Sequence, residues 1–426
     1  MSARAYNLVV LGGVGALLVI AAWLALTQEP LSGDLTRVGA LAERDFGWQD
    51  TKPRFAPELF RYRAKDEPIE SAPVVVIGDS FSHQSDHGFG WENFFVARTG
   101  LELLVYHLRG HPAEQVLLSP ELRRNPPKLV IYEIAELNLP DFVPRYAGDC
   151  TLPPARTWEP LAVHPVPYRL TAYTRRTSWG WELKPRIEQA MHVIKVRAAA
   201  LLGEAGVRQL LLTRTDLFSS RDQSLLVYGY DVPVDDWRSL DLAGMACGLR
   251  NLKTTVEQVL GAPLVVLYAP GKLSATAAYV ADAPASYGGF IPALRERSGI
   301  PAPAVLERLR EAVAAGIQDV YLPDDSHWAN QGHAIAADAL YDFLLARGLI
   351  RVAGAPPDAD PRPTPAVRLA PGAEHGLQSR DHGLLASPAD PFRGPAGAPT
   401  SGASAPNGPA PTADAHRGRG GTIPAP

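Results

Sequence analysis

An apolar run free of charge extends from Leu8 to Leu26, shortly after Arg4. At about 19 residues it is close to the ~20 that cross a bilayer as a helix, and longer than a usual secretory core. No Ala-x-Ala cleavage pattern stands out near Ala25, so the run predicts an uncleaved anchor over 8–26, with a cleaved signal peptide as the alternative. With Arg4 on the short side, residues 1–7 become a cytoplasmic stub and the rest of the chain lies outside the inner membrane, in a bacterial periplasm. Residues 27–70, punctuated by Pro30, Pro53, Pro57 and Pro68, read as a spacer leading off the membrane.

The pattern then changes. Val74–Ile77 is a short run of β-branched residues that stops at Gly78, which suits a strand buried on both faces. A helix is predicted over 91–98, a strand over 101–108, a helix over 113–124 and a strand over 129–134. Further on come a helix over 242–260, a strand over 264–268, a helix from about 305 to 317, a strand over 320–322 and a closing helix over 330–346. Such alternation predicts an α/β fold over 71–352, a parallel sheet with right-handed crossovers and helices on both faces. The stretch 150–234 is rich in Trp, Tyr and Arg (Tyr168, Arg169, Tyr173, Arg175, Arg176, Trp179, Trp181), and reads as an insertion carrying helices over or beside the sheet. From 353 onward the chain turns to Pro, Ala, Gly and Ser, which bury too little apolar area to offset chain entropy; 353–426 is expected to be disordered.

Charge narrows the function classes. The net charge of -4, with no clustered Lys/Arg run, excludes a duplex binder that works by counterion release. The two cysteines, Cys150 and Cys247, have neither zinc nor redox spacing; in an oxidising compartment they can pair. No metal set and no phosphate loop stands out, so no metal and no cofactor is expected.

Two motifs carry chemistry. In Gly78-Asp79-Ser80 the serine leaves a buried strand at a tight turn, where its hydroxyl is exposed and its backbone N–H can face a developing oxyanion. Turn chemistry alone would also account for the tripeptide. Near the other end stands Asp324-Asp325-Ser326-His327-Trp328, where a carboxylate two or three residues before a histidine can fix the imidazole tautomer. Helix capping is the competing reading for those aspartates. Both motifs fall at carboxyl ends of predicted strands, where parallel sheets gather their sites, so Ser80 is the candidate nucleophile and His327 the candidate base. Spacing leaves Asp324 and Asp325 both open. Gly110 and Asn138, after the second and third strands, are candidate oxyanion donors beside the Ser80 N–H.

The order of Gly78-Asp79-Ser80-Phe81-Ser82 early and Asp-x-His-Trp late resembles the SGNH superfamily of esterases and acetyltransferases, whose sheet is flavodoxin-like. Asp325-Ser326-His327-Trp328, followed by Asn330 and Gly332, is similar to the Asp-Thr-His-Trp motif of the bacterial alginate O-acetyltransferases of the AlgJ and AlgX type. Weaker matches are Tyr132–Leu139, Leu217-Phe218-Ser219 and Ala269-Pro270-Gly271-Lys272. The resemblance implies a periplasmic enzyme that takes acetyl groups from a multi-pass membrane O-acyltransferase and places them on an exported polysaccharide through an acetyl-serine. It favours Asp325 as the orienting acid. His83, three residues after Ser80, reads as pocket lining, and Glu133, Glu136, Lys272 and Trp328 are candidate substrate-side residues, with solvation or salt bridges to the arginines of the middle section as the alternative for the two glutamates. An esterase that removes acetyl groups, and a non-catalytic polysaccharide-binding component, are the alternatives.

Overall fold

In the computed structural model, residues 2–27, 29–64, 67–82, 88–108, 110–146, 148–174, 183–203, 206–229 and 240–354 are described. The tail from 355, and with it the expected disorder there, lies outside them, as do His83, Arg175, Arg176, Trp179 and Trp181.

The apolar run forms one helix, α1 (Ala3–Thr27), long and apolar enough to cross a membrane. The segment read as a spacer does not stay apart from the domain. It folds into α2 (Asp34–Gly39), α3 (Glu43–Phe46), β1 (Lys52–Phe55) and β2 (Arg61–Arg63). One carboxylate organises its start: Glu43 accepts hydrogen bonds from the backbone of Ser32 (2.6 Å) and Gly33 (2.9 Å). Prolines, taken as signs of a linker, are compatible with these short elements because none of them needs a long run of ladder hydrogen bonds.

Next come β3 (Val74–Gly78), α4 (Trp91–Thr99), β4 (Leu103–His107), α5 (Ala113–Leu117), α6 (Pro120–Arg124) and β5 (Leu129–Ala135). The single helix predicted over 113–124 is thus two. Pro120 has no N–H to continue α5, and Ser119 caps a fresh start by accepting from the Leu122 N–H at 3.2 Å. After α7 (Leu139–Phe142), the middle section holds β6 (Leu161–Val163), β7 (Leu170–Tyr173), α8 (Leu183–Leu201), β8 (Val207–Leu210) and β9 (Leu225–Tyr228). Its described part thus holds the 19-residue helix α8, as expected of a section carrying helices, together with four short strands that were not expected; β7 pairs with β1 and β8 with β9. The chain closes with α9 (Leu242–Val259), β10 (Leu264–Ala269), α10 (Lys272–Thr276), α11 (Ile291–Ser298), α12 (Val305–Ala314), α13 (Asn330–Ala346) and β11 (Ile350–Val352).

The centre is a five-stranded parallel sheet in the order β10-β5-β3-β4-β2. In β3, β5 and β10 every residue is buried, including both members of each alternating pair, so both faces of these strands are covered. That is why they read as unbroken apolar runs. Each such Val, Leu or Ile contributes roughly 1.5–3 kcal/mol by leaving water. Because all five strands run the same way, the chain emerges at one edge after Gly78, after Ala135 and after Ala269. A disulfide between Cys150 and Cys247 (Cα–Cα 4.5 Å) ties the stretch after β5 to α9.

Residues 320–322 are not a strand. Tyr321 makes a single bridge to Trp328, with Leu322 N–H donating to the His327 carbonyl (3.1 Å) and Ala329 N–H to that of Val320 (3.1 Å). The result is a closed loop from 322 to 327, clamped at its base just before α13.

Candidate active site

Ser80 lies two positions past the end of β3 and is exposed, while Asp79, Phe81 and Ser82 around it are buried. Asp79 builds that turn: one carboxylate oxygen accepts from Phe81 N–H (3.1 Å), the other from Ala135 N–H (2.7 Å) and the Asn138 amide (2.7 Å). Gly78 has to be glycine for space, since a Cβ there would collide with the Ser82 side chain and press on Glu133.

The clamped loop brings His327 to Ser80. His327 Nε2 lies 2.7 Å from Ser80 Oγ, and His327 Nδ1 lies 2.6 Å from Asp325 Oδ1. Asp325 Oδ1 also accepts the His327 backbone N–H at 3.0 Å, so one carboxylate holds both ends of the residue. Phe81 packs on the imidazole with ring centroids 4.8 Å apart and on Trp328 at 4.7 Å. The aspartate two residues before the histidine makes this contact. Asp324 is fully buried instead, and its carbonyl accepts the Leu35 and Thr36 N–H groups that begin α2.

A third carboxylate was not anticipated. Asp34, at the start of α2, accepts from Ser326 N–H (2.8 Å), Ser326 Oγ (2.5 Å) and the Tyr228 hydroxyl (2.7 Å), while its own N–H donates to Asp325 Oδ2 (3.2 Å). Its Oδ2 stands 3.8 Å from His327 Nδ1. Gly33 lets it approach, because a Cβ at 33 would strike Asp324. The Ser-Gly-Asp-Leu turn at 32–35 carried a helix-start signal, but nothing in the sequence linked it to a loop some 290 positions away.

The electrostatics follow from this crowding. Burial alone would lower the His327 pKa, but the Asp325 charge and hydrogen bond, then the charges of Asp34 and Asp79, outweigh it and hold it up at about 9. Burial pulls Asp325 upward, yet the facing imidazolium leaves it well below the usual carboxylate range. Asp34 is raised, by burial first and by Asp325 second. Among the described residues, only Asp34, Asp325 and His327 bring three metal-type ligand atoms together, within 4.8 Å. Asp325 Oδ1 already faces His327, and Asp34 Oδ2 already takes two hydroxyl donors, so the arrangement suits a hydrogen-bonded relay better than an ion.

Several residues assigned to the substrate side belong to the scaffold. Glu133 is fully buried and accepts from Asp79 N–H (3.0 Å) and Ser82 Oγ (2.7 Å). Glu136 is buried and accepts from Gly271 and Phe290 N–H groups, both at 3.0 Å. Lys272 is buried too, its ammonium donating to the carbonyls of Leu322 (2.8 Å) and Pro323 (2.8 Å) and so bracing the histidine loop. Burial pushes it down to about 8 against the pull of Asp324 and Asp34. Trp328 has no exposed surface and packs behind Phe81. Gly110 spends its N–H on the His107 carbonyl at 3.0 Å, so that donor is engaged in its own turn. The Ser80 N–H makes no hydrogen bond among the described residues, and the Asn138 amide is fixed by Asp79 at the same strand edge.

Two carboxyls, Glu133 and Glu92, are fully buried beside Ser82. Burial, then the Asp79 charge, raises Glu133 well above the ordinary range, and burial pushes Glu92 in α4 up to about 8. A carboxyl raised this way keeps its proton in the folded chain, so its contribution to stability is lost as pH rises from the unfolded value near 4.5 through about 8. Glu92→Gln is expected to flatten that decline. The variant should melt higher than the parent at pH 9 but not at pH 5, a differential of up to about 4 kcal/mol. Equal melting shifts at both pH values would refute a neutral Glu92.

Comparison of the chain with protein-family models, with curated proteins and with solved structures returns no match.

Proposed function

We propose that this chain is a membrane-anchored serine O-acetyltransferase of the SGNH type, acting outside the inner membrane on an exported cell-envelope polysaccharide. The observation that carries the reading is the continuous contact Ser80 Oγ to His327 Nε2 to His327 Nδ1 to Asp325 Oδ1, at 2.7 and 2.6 Å. Its placement at the carboxyl edge of a parallel sheet supports the SGNH assignment. The apolar α1 and the Cys150–Cys247 disulfide support an anchored, oxidising location. The acetyl group, the polysaccharide acceptor and a multi-pass membrane O-acyltransferase as donor rest on the motif resemblance.

In this reading Ser80 Oγ attacks the acetyl carbonyl and its proton passes to His327 Nε2. The oxyanion is met by the Ser80 N–H, with the Asn138 amide as second donor. His327 returns the proton to the departing donor atom, leaving acetyl-Ser80. A sugar hydroxyl then gives its proton to His327 and attacks the acetyl carbon, and Ser80 recovers a proton as it leaves. Water in place of the sugar makes the same site an esterase, a second reading favoured by the exposed position of Ser80. Purified full-length chain should turn over a chromogenic acetyl ester and, given an oligosaccharide acceptor, yield acetylated sugar by mass spectrometry. Ester turnover with no transfer selects the esterase. No turnover and no acetylated Ser80 ends the enzyme reading.

The raised histidine sets the pH dependence. A base works only when neutral, and His327 is protonated below about 9, so kcat/KM is expected to climb through neutral pH with a midpoint near 9. Asp34→Asn removes one of the charges holding that value up. Its midpoint should move to lower pH, and a profile that stays put or moves up would deny Asp34 any part in setting the base.

A further inference from the structure

Helix α8 carries an apolar stripe that stays exposed among the described residues. At 100° per residue, Ile187, Met191, Ile194, Ala198 and Leu201 fall within an arc of about 80°. All five are exposed, and Leu201 and Leu202, at 89% and 81%, are nearly bare. The opposite side of the helix, and the edge that Arg197 occupies, are the docked ones. Gln189 accepts from Leu31 N–H (3.0 Å) and donates to the Glu29 carbonyl (2.7 Å), His192 meets the Arg37 carbonyl (2.7 Å), and Arg197 donates to that of Ala40 (3.0 Å).

Those partners identify what lies near the bare face. Residues 29–40 begin two positions after the end of α1, and α8 also packs against α1 itself. The helix is therefore seated at the foot of the apolar anchor. Its charge distribution fits the same place: the exposed Lys184 and Lys195 border the stripe on one side, against one acidic residue on the helix, Glu188. An apolar face flanked by cations is the pattern of a helix lying in the plane of a bilayer with anionic headgroups.

We infer that α8 is an interfacial helix: its Ile187–Met191–Ile194–Leu201 face inserts at the acyl boundary of the membrane that α1 crosses, and its lysines, Lys184 and Lys195, contact anionic lipid headgroups. One consequence concerns the candidate site. Asp34, which holds Ser326 beside His327, is seven residues from the end of α1, a reach of at most about 25 Å. With α8 laid flat, the domain has a second point of attachment, so Ser80 is presented at a set height and orientation over the bilayer.

The inference rests on α1 as the anchor and not on acyl transfer. The native cysteines are paired, so full-length chain with one added cysteine can carry a nitroxide in vesicles of phosphatidylcholine and phosphatidylglycerol. Labels at Met191→Cys and Ile194→Cys should collide more with oxygen than with a water-soluble nickel chelate, as at Leu17→Cys in α1. The reverse is expected at Glu114→Cys in α5. Removing phosphatidylglycerol should shift the α8 labels toward the nickel reagent while Leu17→Cys stays unchanged. The idea is overturned if positions 191 and 194 read as aqueous while 17 reads as lipid. It is equally overturned if their protection grows with protein density and brings spin–spin broadening, since a second copy then covers the face. An aqueous reading at 17 would remove the anchor itself.

Discussion

Ser80→Ala is expected to abolish acetyl-ester turnover, with kcat falling by roughly 10⁴–10⁶, while the chain stays as stable as the parent. The size follows from the geometry. Among the described residues His327 Nε2 faces no other hydroxyl, so without Ser80 Oγ the imidazole is left to activate water, and the covalent intermediate is gone. What survives is the polarising effect of the Ser80 N–H and Asn138, neither of which the substitution touches. Stability should hold because Ser80 is exposed and its hydroxyl, among the described residues, bonds only the histidine, so alanine leaves no buried cavity and no orphaned buried donor there. The paired measurement is ester turnover and thermal melting on the same preparation. Turnover within about tenfold of the parent would place any acyl chemistry elsewhere. The complementary readout is covalent: parent protein quenched during turnover should carry acetyl on the Ser80 peptide, and the alanine variant none.

The parts of this arrangement that could be read from the chain are those with local signatures. A parallel strand buried on both faces has to be a continuous apolar run, and Val74–Ile77, Leu129–Ile134 and Leu264–Tyr268 stood out for that reason. A serine at the exit of such a strand and a histidine before the closing helix are then constrained to one edge of the sheet. Long-range burial has no such signature. Glu133, Glu136 and Lys272 looked like substrate contacts because polar residues near a motif are usually exposed; here each is an internal strut that bonds backbone groups of sequence-distant segments, Glu133 taking the Ser82 hydroxyl as well. Asp34 escaped for the same reason in reverse, since it sits among prolines and an apolar anchor, and its value comes from a fold that lays α2 on the histidine loop. β2 was missed because three residues, Arg61-Tyr62-Arg63, form an edge strand with no apolar alternation to betray it.

The two neighbouring aspartates give the sharpest test of the site. Asp325→Asn should cut kcat/KM by about 10³ with the fold intact, because an amide cannot stabilise the imidazolium and can present a donor to Nδ1, selecting the wrong tautomer. The loss is expected to fall short of the roughly 10⁴ seen when such an acid acts alone, since Asp34 still stands 3.8 Å from Nδ1. Adding Asp34→Asn should therefore cost more in the Asp325→Asn background than in the parent, a coupling that a structural role for Asp34 would not produce. The residual activity of Asp325→Asn should also move to lower pH, because the largest charge raising His327 is gone. Asp324→Asn is expected to behave in the opposite way. Its carboxylate is fully buried and helps offset the charge of Lys272, so its loss should lower stability by about 3–5 kcal/mol while the folded fraction keeps turnover within about tenfold. A folded but inactive Asp324 variant beside an active Asp325 variant would transfer the orienting role to position 324, and the relay described above would be wrong.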